Sequence, residues 1–120
     1  MPNLTRRNFL LKLIYSIASS MSISSIAYAT KKVNIPAIES NYSMALIECA
    51  VIYREWVKRE DLAPGHYLAR TLNEYKIDQL KISEASNIDF KRHNFFEVKG
   101  LHLSKTEAAF LALMGSKVIS

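Results

Sequence analysis

The first 29 residues of the chain differ in composition from the rest and leave 91 residues for a folded domain. They carry three cations and no carboxylate: Arg6, Arg7 and Lys12. The apolar run that follows, residues 13–29, contains six serines and is shorter than the roughly 20 residues that a membrane-spanning helix needs. It ends at Ala27 and Ala29, a small-x-small pattern typical of a cleavage site, which predicts a processed chain beginning at Thr30.

The residues around the arginine pair resemble a twin-arginine signal peptide, whose pattern is Ser/Thr-Arg-Arg-x-Phe-Leu-Lys. The matching positions are Thr5, Arg6, Arg7, Phe9 and Leu10, and the lysine comes one place late. The resemblance implies recognition by the Tat translocase and export of the folded protein to the periplasm. The alternatives are an uncleaved membrane anchor and a signal for unfolded export. Membrane contact is otherwise expected only through export or through a partner.

A single cysteine, Cys49, limits how the remaining 91 residues can be stabilised. A chain of this length buries only about 60–65% of its unfolded surface, and small exported domains usually compensate with disulfides. One cysteine excludes an intramolecular disulfide and any cysteine-based haem or zinc motif. We therefore expect stabilisation by a protein partner. The 91 residues carry 13 Lys/Arg and 11 Asp/Glu, and this near balance, together with export, argues against a nucleic-acid partner.

Residues 30–39 are polar and predict a linker or arm, and residues 40–120 predict one small, mostly α-helical domain of about three helices. The first helix is expected from about residue 42 to 60. Its apolar residues recur every three or four positions: Leu46, Cys49, Tyr53, Trp56 and Val57. Further apolar residues widen this stripe to more than half of the circumference, so the helix is expected at the centre of the domain or in an interface.

Pro64 and Gly65 separate this helix from a second one, expected from His66 to about Leu80. The end of the second helix also fits a strand, because apolar residues alternate near Tyr75. Residues 83–99 predict a hairpin or an irregular loop, in which the short apolar pieces 87–90 and 95–98 flank a polar turn.

Ser104 and Glu107 have the spacing of a capping box and predict a last helix from residue 104 to 119. Leu111, Met114 and Val118 share one face of that helix. Gly115 is expected to weaken it by about 1 kcal/mol relative to alanine.

The sequence predicts no catalytic, cofactor-binding or metal-binding site. The three histidines lack the spacing that places two ligands on one helix face, and neighbouring carboxylates at a helix end point in different directions. His66, His93 and His102 are expected at the surface or in caps. Glu60 and Asp61 are expected as solvated charges. Cys49 is expected as a buried small apolar residue.

The signal and the C-terminal helix together resemble the small subunits of membrane-associated flavin dehydrogenases, of the gluconate 2-dehydrogenase subunit 3 and sorbitol dehydrogenase small-subunit type. Leu103-Ser104, Glu107-Ala108 and Leu111 follow the family phrase Leu-Ser-x-x-Glu-Ala-x-x-Leu, and Ser120 stands where that family has proline. The resemblance covers the signal and about 18 further residues. It implies a helical subunit that binds no cofactor, contributes no catalytic residue and carries a larger, flavin-bearing subunit through export.

Two functions from different classes follow from these patterns. The first is an exported, non-catalytic accessory subunit that escorts or stabilises a cofactor-containing dehydrogenase in the periplasm or at the membrane. Its expected contact residues are Leu46, Tyr53, Trp56, Val57, Leu111 and Met114. The second is a small periplasmic binding or structural protein that acts alone, which predicts a monomer without a stoichiometric partner.

Overall fold

The structure, a computed structural model, describes residues 40–77 and 81–119 together with residues 8, 10 and 12. The chain from residue 40 onward forms helices α1 (Ser40–Arg59), α2 (Pro64–Glu74) and α3 (Ile82–Lys91). These are followed by strands β1 (Phe95–Val98) and β2 (Leu101–Ser104) and by helix α4 (Lys105–Ile119). The prediction of a small, mostly helical domain is confirmed, with a fourth helix, α3, where an irregular segment or hairpin was expected.

Helix α4 lies at the centre of the domain and is covered on all sides. Every residue from 106 to 114 is buried, and α4 contacts α1, α2, α3 and both strands. A helix that is apolar around its whole circumference is stable only when it is surrounded. The last helix, rather than the first, is therefore the centre of the core.

Helix α1 packs along α4 with one face and exposes the opposite one. Its buried face carries Ala45, Cys49, Ile52 and Trp56, at spacings of four, three and four residues. The indole of Trp56 packs edge-on against Tyr67, with ring centroids 5.1 Å apart, and its Nε1 donates a hydrogen bond of 2.8 Å to the carbonyl oxygen of Leu62. This contact fixes the loop between α1 and α2.

The N-terminus of α4 has the capping box that its sequence predicts. The backbone N–H of Ser104 donates to Glu107 Oε1 at 2.9 Å, and the backbone N–H of Glu107 donates to Ser104 Oγ at 3.1 Å. The Ser104 hydroxyl also lies 2.9 Å from the Ser86 hydroxyl. The cap therefore ties α4 to α3 as well as satisfying its own backbone donors.

The middle of the chain departs from the prediction at two places. Helix α2 begins at Pro64 and ends at Glu74 rather than near Leu80, because the chain turns at Lys76, whose φ is 58°. Helix α3 occupies residues that were expected in an irregular or hairpin segment. It buries Ile82 and Ala85 beside the polar Ser86 and Asp89, so its inward face lacks the apolar period by which helices are recognised.

The hairpin is formed by β1 and β2, whereas the sequence suggested a pairing of residues 87–90 with 95–98. Its strands pair Phe95 with Ser104 and Val98 with Leu101, around a two-residue turn in which Lys99 and Gly100 have φ values of 48° and 80°. Two consecutive positive φ values match the right-handed twist of a tight hairpin. Arg59 protects the edge of β1 by donating from Nη1 to the carbonyl oxygen of Glu97 at 2.6 Å.

Candidate functional site

A buried carboxylate, Asp89, links three elements of the domain and was not predicted from the sequence. Its side chain is fully buried. The hydroxyl of Tyr75 donates to Oδ1 at 2.6 Å, and Asn94 Nδ2 donates to the same oxygen at 3.3 Å. The backbone N–H of Thr106 donates to Oδ2 at 2.7 Å. Because Thr106 lies in the first turn of α4, the carboxylate sits at the positive end of the central helix.

The donors around Asp89 hold the carboxylate in a structural role. Three hydrogen bonds converge on its two oxygens, which satisfies a buried group that is costly to leave unpaired. Burial and the hydrogen bond to Asp89 raise the pKa of Tyr75 from 10.0 to about 12. Tyr75 therefore stays a neutral phenol that donates, and the network positions the end of α2, α3 and the start of α4.

The histidines are exposed, and the structure brings two of them together around an aromatic side chain. His93 and His102 lie against Phe95, with ring centroids 6.0 Å and 4.5 Å from its ring. His102 Nδ1 is 3.5 Å from a carboxylate oxygen of Glu97, and His66 lies separately on α2. Within residues 40–77 and 81–119, no group of three His, Cys, Asp or Glu side chains is arranged to hold a metal ion.

The carboxylates of Glu60 and Asp61 have different surroundings, although they are neighbours in the sequence. Glu60 forms an ion pair with Lys105, whose Nζ lies 2.8 Å from Oε1, and Lys105 also lies over the ring of Tyr67 at 5.0 Å. Asp61 is exposed. The expectation of solvated charge describes Asp61, whereas Glu60 helps to join the end of α1 to the start of α4.

Cys49 is fully buried where α1 meets α4, in agreement with its expected place in the core. Burial, and to a lesser degree the charge of Glu48, raises the pKa of its thiol from 9.0 to about 12. A thiol with so high a pKa is almost entirely protonated at neutral pH and is a poor nucleophile.

The raised pKa of Cys49 predicts a loss of stability in alkali. The folded state holds the thiol proton more tightly than the unfolded state, so the contribution is fully present below the unfolded pKa of about 9. It is lost progressively as the pH rises from there towards 12. We expect the urea midpoint to be level between pH 7 and 8.5 and to fall above pH 9. Cys49→Ala should show a smaller alkaline fall, and an equal fall would remove the thiol as its cause.

Four of the six side chains expected at a partner interface are buried in the core instead. Leu46 is 7% and Trp56 1% exposed, and Leu111 and Met114 are fully buried. These four are available to a partner only if the domain opens. Tyr53 is half-buried, and Val57 is 56% exposed. Two exposed large apolar residues were not among the predicted contact residues: Ile47, which is 64% exposed on the same helix, and Phe95 of β1, which is 38% exposed.

Two surface cavities border the exposed side of α1. The first, of about 190 Å³, is lined mainly by apolar side chains of α1 and by Val98 of β1. The second, of about 380 Å³, lies between the last turns of α1 and the loop that ends at Pro64. We call the exposed residues Ile47, Arg54, Val57 and Lys58, with the half-buried Val51 beside them, the outer face of α1. It carries two of the three large apolar side chains that are exposed on the described surface, Ile47 and Val57; the third is Phe95 of β1.

Of the three N-terminal residues that the structure describes, 8, 10 and 12, one lies in the core. Leu10 is 1% exposed and belongs to the same hydrophobic cluster as the core residues of the four helices. The other predicted signal residues lie outside the described residues: Thr5, Arg6, Arg7, Phe9, Ala27 and Ala29.

No protein family, no curated protein and no solved structure matches this chain. Among the described residues, no helix has the length and apolar character needed to cross a membrane.

Proposed function

We propose that this protein is an exported accessory subunit that docks on a larger, cofactor-containing dehydrogenase and escorts or stabilises it. The twin-arginine pattern supports the route of export, since that route carries folded proteins. The resemblance of the C-terminal helix to the small subunits of flavin dehydrogenases supports the kind of partner. In this proposal the partner holds the flavin and the catalytic groups, and the complex works in the periplasm or at the membrane.

The observation that carries the proposal is the outer face of α1. Isolated exposed apolar residues are normal on protein surfaces, but Ile47 and Val57 are both more than half exposed on one helix. Val51 lies beside Ile47 along a cavity of about 190 Å³. Aliphatic side chains bordered by two cations, Arg54 and Lys58, resemble the apolar centre and polar rim of a protein interface. In the proposal, this face replaces the buried residues that the sequence suggested.

A second candidate, a small periplasmic binding or structural protein that acts alone, is favoured by the completeness of the core. The central helix α4 is enclosed by elements of the same chain. Leu111 and Met114 are therefore already buried without a partner. In this candidate the domain folds without a partner, whereas the accessory role rests on the surface of α1 rather than on an incomplete core.

The test is a tagged purification from the periplasmic and membrane fractions of the native host, followed by mass spectrometry and an absorbance spectrum. We expect a stoichiometric larger chain with a flavin spectrum, and loss of both proteins from the periplasm when Arg6 and Arg7 are changed to lysine. Ile47→Asp and Val57→Asp should each lower recovery of the larger chain at least tenfold. Asn87→Asp, which adds the same charge at an exposed position on α3, should leave recovery unchanged. A colourless monomer would support the second candidate and reject the first.

A further inference from the structure

The smaller of the two surface cavities lies between α1 and the turn of the hairpin and has a mainly apolar lining. The buried side chains of Ile52 and Val98 and the exposed side chain of Ile47 border it. Its volume of about 190 Å³ is below the roughly 300–1,000 Å³ of pockets that hold a small-molecule ligand. A cavity of this size and character fits one aliphatic side chain of a protein better than it fits a cofactor.

The two sides of this cavity are joined by Arg59. Its Nη1 donates to the carbonyl oxygen of Glu97 at 2.6 Å, and its guanidinium lies 4.6 Å from the centroid of the Phe96 ring. The hairpin turn itself is tight, with φ values of 48° at Lys99 and 80° at Gly100. The cavity is therefore formed before a partner binds, which lowers the cost of ordering on association.

The exposed charges that border the aliphatic residues are mainly positive. Arg54 and Lys99 are both exposed, and neither forms an ion pair with another residue that the structure describes. Lys58 differs, because its Nζ lies 3.3 Å from a carboxylate oxygen of Glu55. Glu48 also lines the cavity, but it is half-buried and already has a partner within the protein. The uncompensated charge on this part of the described surface is positive, and the complementary partner is acidic.

Two other occupants fit this surface less well. A second copy of the chain that packed through the same face would bring the two Arg54 side chains together, and like charges across an interface are unfavourable. A helix that binds a membrane surface carries Trp, Phe or Leu on its apolar face. The apolar residues of the outer face are instead one isoleucine and two valines: Ile47, Val51 and Val57. An acidic, aliphatic protein segment matches both the charge and the cavity.

We propose that the outer face of α1 and this cavity bind an acidic amphipathic helix of the larger subunit. One aliphatic side chain of that helix fills the cavity, and carboxylates on either side of it pair with Arg54 and Lys99. The identity of the larger chain rests on the proposed function, and the chemistry of the binding segment is what this inference adds. Because the charge pairs lie at the rim, they steer association and weaken as the salt concentration is raised.

The first test identifies the binding segment in the purified complex. Lys58→p-benzoylphenylalanine places a photo-cross-linker at the edge of the outer face, and mass spectrometry identifies the cross-linked peptide. We expect a segment of the larger chain with apolar residues at helical spacing and with Asp or Glu beside them. Changing one of those carboxylates to lysine should lower recovery of the complex about tenfold, and Arg54→Glu in this chain should restore it. A cross-link to a basic segment, to a lipid or to a second copy of this chain would overturn the proposal.

The second test uses the purified full-length chain without the larger subunit. The probe is a fluorescent peptide with leucines at helical spacing and glutamate beside each leucine, and its counterpart has lysine in place of each glutamate. The glutamate peptide should bind, and the lysine peptide should bind at least about tenfold more weakly. Equal binding of the two peptides, or no binding of either, would overturn the proposal.

Substitutions on the outer face show whether the peptide binds there. Ile47→Asp and Arg54→Glu should each weaken binding of the glutamate peptide about tenfold. Lys91→Glu, at an exposed position on α3, makes the same change of net charge as Arg54→Glu and should leave binding unchanged. All three side chains are exposed, so the urea midpoints should match the wild type and show that lost binding is not lost folding. Binding that is indifferent to Ile47 and Arg54 would place the peptide elsewhere and overturn the proposal.

These outcomes are distinct from failure of the proposed function. Recovery of a larger chain that cross-links through a basic segment would keep the accessory role and reject the acidic helix. Specific binding of the glutamate peptide in a host where no larger chain is recovered would do the reverse: it would keep the docking surface and reject the dehydrogenase partner.

Discussion

Gly115→Ala is expected to destabilise the domain by at least about 2 kcal/mol, as overpacking of a tightly packed site does. Helix α4 crosses α1 at this glycine. A Cβ atom added to Gly115 would lie 2.0 Å from the carbonyl oxygen of Cys49 and 2.8 Å from the backbone nitrogen of Ala50. These are backbone atoms in the middle of a helix, so no side-chain rotation relieves the contact. The two helices must move apart, which loosens the most extensive contact between two elements of the domain.

Helix propensity alone predicts the opposite result, because alanine in place of glycine inside a helix stabilises by about 1 kcal/mol. The sign of the measured change therefore decides between the two effects. Urea unfolding followed by circular dichroism and by Trp56 fluorescence measures it. Ser116→Ala is the control at the neighbouring position, where the hydroxyl donates to the carbonyl oxygen of Leu113 within the same helix; this change should alter stability by less than about 1 kcal/mol. A Gly115→Ala variant more stable than the wild type would contradict the close crossing.

What the sequence predicted correctly depends on residues within a few positions of one another. The capping box joins Ser104 to a residue three places away. The helical period placed Cys49 and Trp56 on the buried face of α1, but it also included Val57, which is exposed. Gly115 shows the limit of such local signals. From the sequence it is only a weak helix former, and its role appears when Cys49, 66 residues earlier, is brought against it.

The same limit applies to the apolar stripe of the last helix and to helix α3. An apolar stripe has the same appearance whether the chain itself or a partner covers it, so Leu111 and Met114 were expected at an interface and lie in the core. Helix α3 was missed because its buried face includes Ser86 and Asp89, which interrupt the apolar period. Ser86 and Asp89 are buried because they form hydrogen bonds with Ser104 and Thr106 at the start of α4. That helix lies further along the chain and cannot be recognised from the sequence of α3.

Asp89→Asn is expected to cost about 2–3 kcal/mol, the penalty of leaving a buried donor without an acceptor. The change preserves shape but replaces one acceptor oxygen with an NH₂ group. Three donors converge on the native carboxylate: the Tyr75 hydroxyl, the Asn94 amide and the Thr106 backbone N–H. Whichever way the new amide turns, at least one of them faces another donor. The favourable placement of a negative charge at the N-terminus of α4 is lost as well.

Two other substitutions serve as comparisons. They distinguish the effect of losing the Asp89 network from the general effect of altering a buried polar side chain. Thr106→Val keeps the backbone N–H that binds Asp89 and removes a buried hydroxyl oxygen for which the described part of the chain offers no hydrogen-bond partner. It should therefore be neutral or slightly stabilising. Tyr75→Phe removes one donor and leaves the carboxylate with two, which should cost about 1 kcal/mol. Urea unfolding at pH 7 measures all three variants. If Asp89→Asn is no less stable than Thr106→Val, the carboxylate does not organise the start of α4, and the central helix is held by its apolar contacts and its capping box alone.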